Sequence, residues 1–285
     1  MPRYKKLSVG VINIKIHPHA PMLYKNLLED IFNFREKVKL RGSDWGTPGH
    51  IFYNNSDNNL IKGFFYKYTN ISPTQPWLSL IDYEPIYNEN GESIPQIPDY
   101  LKPNLKFIHF IFSIYKHRLF FDADAISPLI MGKLLKGLFQ DRKIIDKYGD
   151  VDVIVQSSAD AIEKILSIPS ITKLEISITK LNPDELSGLK KEIYKRLERL
   201  RVRNHTEIDS SSKEIGLNPD EHTKALMELA IENGKIVATG YDGDEKIVES
   251  SEPHPVIKRG YYDPKREDIY RAMKRLINSF FHNGR

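Results

Sequence analysis

Four cations recur at every fourth residue within the segment 183–203: Lys191, Lys195, Arg199 and Arg203. Leucine and isoleucine side chains recur there at intervals of three and four, so the pattern predicts one amphipathic helix with a basic stripe. Evenly spaced cations on the outer face of a helix suit the phosphate backbone of a nucleic acid. An ordinary solvated helix face, which Glu192 and Glu198 would help to neutralise, is the alternative.

A second group of cations lies among tyrosines near the carboxyl end of the chain. The segment 258–266, which we predict to be a loop, contains Lys258, Arg259, Lys265 and Arg266. Shorter clusters of cations and aromatic rings occur at 66–68 and 115–118. Charge beside an aromatic ring suits phosphates together with sugars or exposed bases. The two groups of cations are therefore the predicted nucleic-acid-binding residues.

Two pairs of side chains could support catalysis. His17 and His19 follow the first predicted strand at i, i+2, a spacing that could hold a metal ion or move a proton. Asp122 and Asp124 have the same spacing and could serve metal-dependent phosphodiester cleavage. No phosphate-binding glycine loop, dinucleotide fingerprint or nucleophile elbow occurs. We assign no catalytic residue, metal ligand or cofactor, and a metal-dependent nuclease or RNA-processing enzyme is the alternative to binding alone.

Composition excludes several classes of protein. The 285 residues include no cysteine, which rules out disulfides, thiolate zinc sites and cysteine nucleophiles and fits a reducing cytoplasm. No window approaches the roughly 18 to 20 apolar residues of a membrane span, so we expect a soluble, cytoplasmic protein that does not bind membranes. The opening segment 1–17 alternates apolar and polar residues and predicts a strand, not a signal peptide.

Charge is unevenly distributed along the chain, whose net charge is +4. Residues 183–203 carry seven basic and four acidic side chains, whereas residues 205–257 carry four basic and twelve acidic ones. A basic binding surface with acidic surroundings would discourage docking in the wrong orientation. The acidic segment leaves open a third function, that of a structural subunit that binds a partner protein.

Hydrophobic periodicity predicts an alternation of strands and helices. The predicted helices are 21–34, 128–148 with Ser127 as its cap, 158–166, 183–203, 219–232 and 264–281. The predicted strands are 7–16, 151–156 and 172–179, with hairpins around 54–59, 115–118 and 242–243. We predict loops at 41–50 and 204–219 as well as at 258–266.

These elements predict an α/β or α+β fold with mixed sheets, several hairpins, an α/β core and a long C-terminal helix. Residues 1–122 would form an N-terminal α+β domain. Residues 123–285 would form a C-terminal α/β domain that contains the basic helix.

Three segments of the chain resemble an uncharacterised bacterial family of domains of unknown function: VINIKIHPHAP at 11–21, LEISITKLNPDE at 174–185 and GYDGDEKIVESSEPHP at 240–255. The order of elements is also similar to that of the Rex exclusion A protein of temperate phage. That similarity implies a dimeric, sequence-tolerant protein that binds duplex DNA in anti-phage defence, with a possible partner from the same defence system. The site residues above depend on charge alone, because no motif aligns with that protein.

Overall fold

The computed structural model describes residues 4–17, 20–53, 59–71, 77–81, 83–86, 98, 100–179 and 186–282. This part of the chain has the predicted α+β class, with seven helices and fourteen strands. The strands are β1 (Lys5–Lys15), β2 (Val38–Arg41), β3 (Asp44–Tyr53), β4 (Leu60–Thr69), β5 (Trp77–Leu78), β6 (Pro85–Ile86), β7 (Lys106–Ser113), β8 (Arg118–Asp122), β9 (Asp152–Val155), β10 (Ser170–Thr179), β11 (Asn204–Ser210), β12 (Gly234–Asp242), β13 (Glu245–Ser250) and β14 (Ile257–Tyr262). The helices are α1 (Pro21–Phe34), α2 (Pro128–Phe139), α3 (Arg142–Tyr148), α4 (Asp160–Leu166), α5 (Gly188–Arg199), α6 (Glu221–Asn233) and α7 (Ile269–His282).

A large antiparallel sheet has the strand order β14-β1-β8-β7-β4-β3-β2. Strand β1 pairs along one side with β14 through residues 5–10 and then with β9 through residues 12–15. Side chains alternate across a strand, so the sheet has two apolar faces. Helices α1, α2 and α3 cover the first face around Phe65 and Phe110, and α7 covers part of the second face with Met273.

A smaller antiparallel sheet has the order β11-β10-β12-β13 and packs against α4, α5 and α6. Its core contains Ile176, Leu226 and Ile236, all fully or almost fully buried. The predicted strand–helix–strand–helix segment that begins at residue 151 does not belong to one sheet. Its first strand, β9, joins the large sheet, and its second strand, β10, joins the small one. The large sheet also includes β14, from near the end of the chain. A division into separate domains after residue 122 stays a prediction.

The predicted loop at 41–50 is wrong, because Asp44–Tyr53 forms strand β3. The glycines in this segment permit close packing. A Cβ atom on Gly46 would lie 2.8 Å from Leu134 of α2, and the β3–β4 register shifts between Pro48 and His50. A shift of this kind lets a strand accommodate proline, which has no N–H group to donate to a neighbour.

Two further predicted loops contain edge strands. Asn204–Ser210 forms β11, which pairs with β10, and Ile257–Tyr262 forms β14, which pairs with β1. Both strands pair on one side only in their sheets. An edge strand carries many polar residues because much of it faces water, so its hydrophobic pattern is weak.

The predicted helix 128–148 is interrupted near Gln140 and forms α2 and α3. Asp141 caps α3, since its side chain accepts a hydrogen bond of 2.9 Å from the backbone N–H of Lys143. Ser127 occupies the N-cap position of α2, but its side chain makes no capping hydrogen bond. None of the helices in the described ranges is long and apolar enough to cross a membrane.

Candidate nucleic-acid interface

Helix α5 packs its apolar side against the small sheet and presents its basic side to solvent. Ile193 and Leu197 are buried in the core of the small sheet. The cations Lys191, Lys195 and Arg199 are all exposed. Four residues of helix rise about 6 Å, so these three side chains form a row with that spacing.

The row of α5 forms no ion pairs within the described chain. Neither Lys191, Lys195 nor Arg199 forms an ion pair with a residue that the structure describes, whereas the adjacent Lys190 pairs with Glu228 at 2.7 Å. A cation that is not engaged in an ion pair is available to attract an anion from solution, although Glu192 and Glu198 lie on the same helix. The three side chains of this row, together with the exposed Arg196 beside them, are therefore available in α5 to contact phosphates.

Arg203 does not continue the row, and the prediction of a helix through residue 203 is wrong. The helix ends at Arg199, and Arg201 has a left-handed backbone with a φ of 53°. The N–H groups of Arg201 and Val202 close the helix on the carbonyls of Glu198 and Leu197. Arg203 then pairs with Asp150 at 3.0 Å. Pro183, where the predicted helix begins, lies outside the described residues.

The second predicted group of cations lies on the large sheet, whereas α5 packs against the small one. Lys258 and Arg259 belong to β14, and Lys265 and Arg266 are exposed in the turn that follows. Arg259 pairs in register with Ser8 of β1, whereas β9, near Arg203, pairs with the far end of β1 at Lys15. Seven residues of strand span about 23 Å, so the structure does not bring the two groups of cations together.

A cavity of about 360 Å³ opens at the carboxyl end of α5. Its polar lining side chains are His17, Thr179, Tyr194, Glu198, Arg201, Arg203 and His205. The hydroxyl of Tyr194 donates a hydrogen bond of 2.9 Å to Glu198. A larger cavity of about 1130 Å³ adjoins it through Ile178, Thr179 and His205. Of the residues that line this cavity, two were singled out from the sequence: Arg203, as a binding residue, and His17, as a candidate metal ligand or proton-transfer group.

A buried polar cluster joins the two sheets near the end of β1. Lys15 is fully buried, and its Nζ atom donates a hydrogen bond of 2.7 Å to Oδ1 of Asn233 in α6. Nδ2 of Asn13 donates to the same oxygen at 3.2 Å. Burial lowers the pKa of Lys15 to about 7, although the charges of Asp152 and Glu232 oppose this effect.

His17 and Asp152 extend this cluster toward the cavity. Nε2 of His17 lies 3.2 Å from Oδ2 of Asp152. The hydrogen bond from His17 holds the pKa of Asp152 below its usual value, despite partial burial. His19, the second member of the predicted pair, lies outside the described residues. Across the described ranges, no group of three or more His, Asp or Glu side chains is arranged to hold a metal ion.

Asp122 and Asp124 act as hydrogen-bond acceptors within the large sheet. Asp124 accepts from both the backbone N–H and the hydroxyl of Ser8, at 2.7 and 2.9 Å. Asp122 accepts from the N–H of Asp124 at 3.0 Å, and burial raises the pKa of Asp122. These contacts tie the end of β8 to β1, which gives both carboxylates a structural use.

The molecule is thus an α+β protein of two antiparallel sheets, with a cationic helix beside a cavity at their junction. The chain belongs to the DUF4747 family, a domain of unknown function, and the match covers residues 5–278. A comparison with curated proteins found no match.

Proposed function

We propose that this protein binds duplex DNA through its phosphates, without base specificity and without catalysis. The observation that supports the proposal is the row Lys191, Lys195 and Arg199, exposed on α5 and without an ion-pair partner among the described residues. Such a row attracts a phosphate backbone whatever its sequence. Arg203 is held by Asp150 at one end of the row and can take part where a phosphate displaces that carboxylate.

The cations Lys258, Arg259, Lys265 and Arg266 would assist at a distance. Along β1, the partner of Arg259 lies about 23 Å from the end near Arg203, a length of the same order as one turn of duplex, which is about 34 Å. If the two groups together neutralise about six phosphates, log K should fall with log salt at a slope near −5. This steep dependence on salt is the signature expected of the interface.

Reversal of two charges of the row tests the proposal. The variant Lys195→Glu/Arg199→Glu should bind every duplex more weakly, and the salt slope should decrease by about two because two phosphate contacts are lost. Fluorescence anisotropy with labelled duplexes of unrelated sequence, across a salt series, measures both effects. The matched control is Arg142→Glu/Lys246→Glu, which makes the same charge change at two exposed positions on α3 and β13.

Equal affinities and slopes for the two variants would contradict a role of α5. Loss of thermal stability in Lys195→Glu/Arg199→Glu alone would mean that the fold, not a ligand, needs those charges. The same samples with Mg²⁺ on a denaturing gel test the alternative of a nuclease, for which cleaved strands are the expected product.

A role of this binding in anti-phage defence, as a homodimer and with a partner protein, is a further part of the proposal. It is supported only by the similarity in element order to the Rex exclusion A protein. Cells that produce the protein should show fewer phage plaques than cells that produce the Lys195→Glu/Arg199→Glu variant. Equal plaque numbers at equal protein levels would contradict the defence role without affecting DNA binding.

A further inference from the structure

An array of aromatic rings lies on the second face of the large sheet, beyond the part that α7 covers. We call it the aromatic platform, and its members are His50 and Phe52 of β3, Phe64 and Tyr66 of β4, and Phe107 and His109 of β7. Phe65 and Phe110 alternate with these residues and point into the core on the opposite face. Tyr270 of α7 marks the border, with ring centroids 6.2 Å from Phe52 and 5.5 Å from His109.

The strand register brings these rings side by side across three strands. Phe64 is the partner of His50 on one side and of His109 on the other, and Tyr66 is the partner of Phe107. The ring centroid of Phe107 lies 5.1 Å from Phe64 and 5.3 Å from Tyr66. Neighbouring rings therefore hold one another in place, which lowers the entropy lost when a flat ligand stacks on them.

The platform is open to solvent in spite of its apolar character. Phe52 and Phe107 are 42% and 45% exposed, and His50 is also exposed. Phe64 and Tyr66 lie between them and are half-buried. Adjacent rings that are partly exposed in this way form a surface on which a partner or ligand can pack.

Positive charge surrounds the rings. Lys62 lies on the same face, with Nζ 5.8 Å from the centre of the Tyr270 ring. Lys39 of β2 is the partner of Trp45, which in turn is the partner of Tyr68 of β4, so the register places Lys39 on the platform side. The strands β2, β3, β4 and β7 contain a single carboxylate, that of Asp44, which pairs with Lys67 at 2.7 Å.

We propose that the aromatic platform binds single-stranded nucleic acid, with unpaired bases stacked on the rings and phosphates near Lys39 and Lys62. Half-exposed rings on the face of an antiparallel sheet present the flat apolar surface that a base requires, and adjacent cations attract the backbone. Every base has an aromatic face, so this binding is tolerant of sequence. The site is on the large sheet and does not depend on the α5 interface.

Single-ring substitutions test this proposal by fluorescence anisotropy with labelled oligonucleotides of about 12 nucleotides, oligo-dT and oligo-U in separate arms. Phe52→Ala and Phe107→Ala should each weaken binding about tenfold, because each removes one stacking surface. Phe107→Trp keeps a ring and should keep the affinity. Val248→Ala is the control, since Val248 is an exposed apolar side chain on β13 of the small sheet.

The proposal is overturned if the two alanine variants bind both oligonucleotides as tightly as the unmodified protein, or if the unmodified protein binds neither at low salt. It is also overturned if Phe52→Ala converts a dimer to a monomer in sedimentation without changing oligonucleotide binding, since the platform would then be a contact between two copies. The variant Lys195→Glu/Arg199→Glu should lose duplex binding but still bind the single-stranded oligonucleotides. In this variant, Phe52→Ala or Phe107→Ala should weaken that single-strand binding as they do in the unmodified protein. This difference separates a failure of the platform from a failure of the α5 interface.

Discussion

Lys15→Met is expected to remove most of the increase in stability that the unmodified protein gains between about pH 7 and pH 9.5. Burial lowers the pKa of Lys15 from 10.5 to about 7. In this window the unfolded chain keeps its proton on Lys15 while the folded protein releases it. The unfolded state thus binds more protons, so stability rises with pH.

The free energy of unfolding should rise by about 1.4 kcal/mol for each pH unit, or by about 3 kcal/mol across the window. Below pH 7 Lys15 is protonated in both states and contributes no slope. Above pH 10 the tyrosines intervene, since burial raises the pKa of Tyr148 to about 12. Lys15 is therefore the main source of the slope between these limits.

Urea denaturation at several pH values measures this effect. Lys15→Arg is the matched control, because a guanidinium stays charged throughout and should give a protein that is less stable and has a flat pH profile. Lys15→Met should have a flat profile without the cost of a buried charge. Parallel profiles for the unmodified protein and Lys15→Met would contradict the interpretation.

Elements with strong local signals could be predicted from the sequence. Helix α1 was predicted at 21–34, which are its bounds in the structure, because its apolar residues repeat with helical period and Pro21 suits its first turn. The hairpin of β12 and β13 was predicted from Asp242-Gly243, and Gly243 has the positive φ, 57°, that such a turn needs. These signals are contained in a few consecutive residues.

Strand β3 could not be predicted, because what makes it a strand lies elsewhere in the chain. Gly46 and Gly49 favour a loop by composition, but the first allows Leu134 to approach and the second allows the ring of Phe64 to do so. Pairing with β4 on one side and β2 on the other then holds the segment extended. A local pattern carries no information on such partners.

The residues of the candidate site also fall into those that a local sequence pattern predicts and those that it does not. The row of Lys191, Lys195 and Arg199 has a helical period and was predicted from it. The contact of Lys15 with Asn233 joins residues 218 positions apart and has no local signal. In the aromatic platform, the sequence pointed to the segment 66–68, but only the register of three strands places Phe52, Phe64 and Phe107 side by side.

Asn233→Ala is expected to lower the free energy of unfolding by about 3 kcal/mol, because buried donors lose their acceptor. Oδ1 of Asn233 accepts from Lys15 at 2.7 Å and from Asn13 at 3.2 Å, and Nδ2 of Asn233 donates to the carbonyl of Leu229 at 3.1 Å. This one side chain at the end of α6 thereby ties the small sheet to β1. Asn204→Ala, at an exposed position of β11, should change stability by less than about 0.5 kcal/mol.

A double-mutant cycle with Lys15→Met separates this contact from the loss of packing. The cost of Asn233→Ala should be smaller by about 1 to 3 kcal/mol in the Lys15→Met background, because the hydrogen bond between Lys15 and Asn233 is already absent there. Asn233→Asp should raise the pKa of Lys15, because a carboxylate at this point favours the protonated amine. The stability of the Asn233→Asp variant should therefore no longer increase between pH 7 and pH 9.5. Additive costs in the cycle, together with an unchanged pH profile for Asn233→Asp, would mean that the two sheets are held together by other contacts.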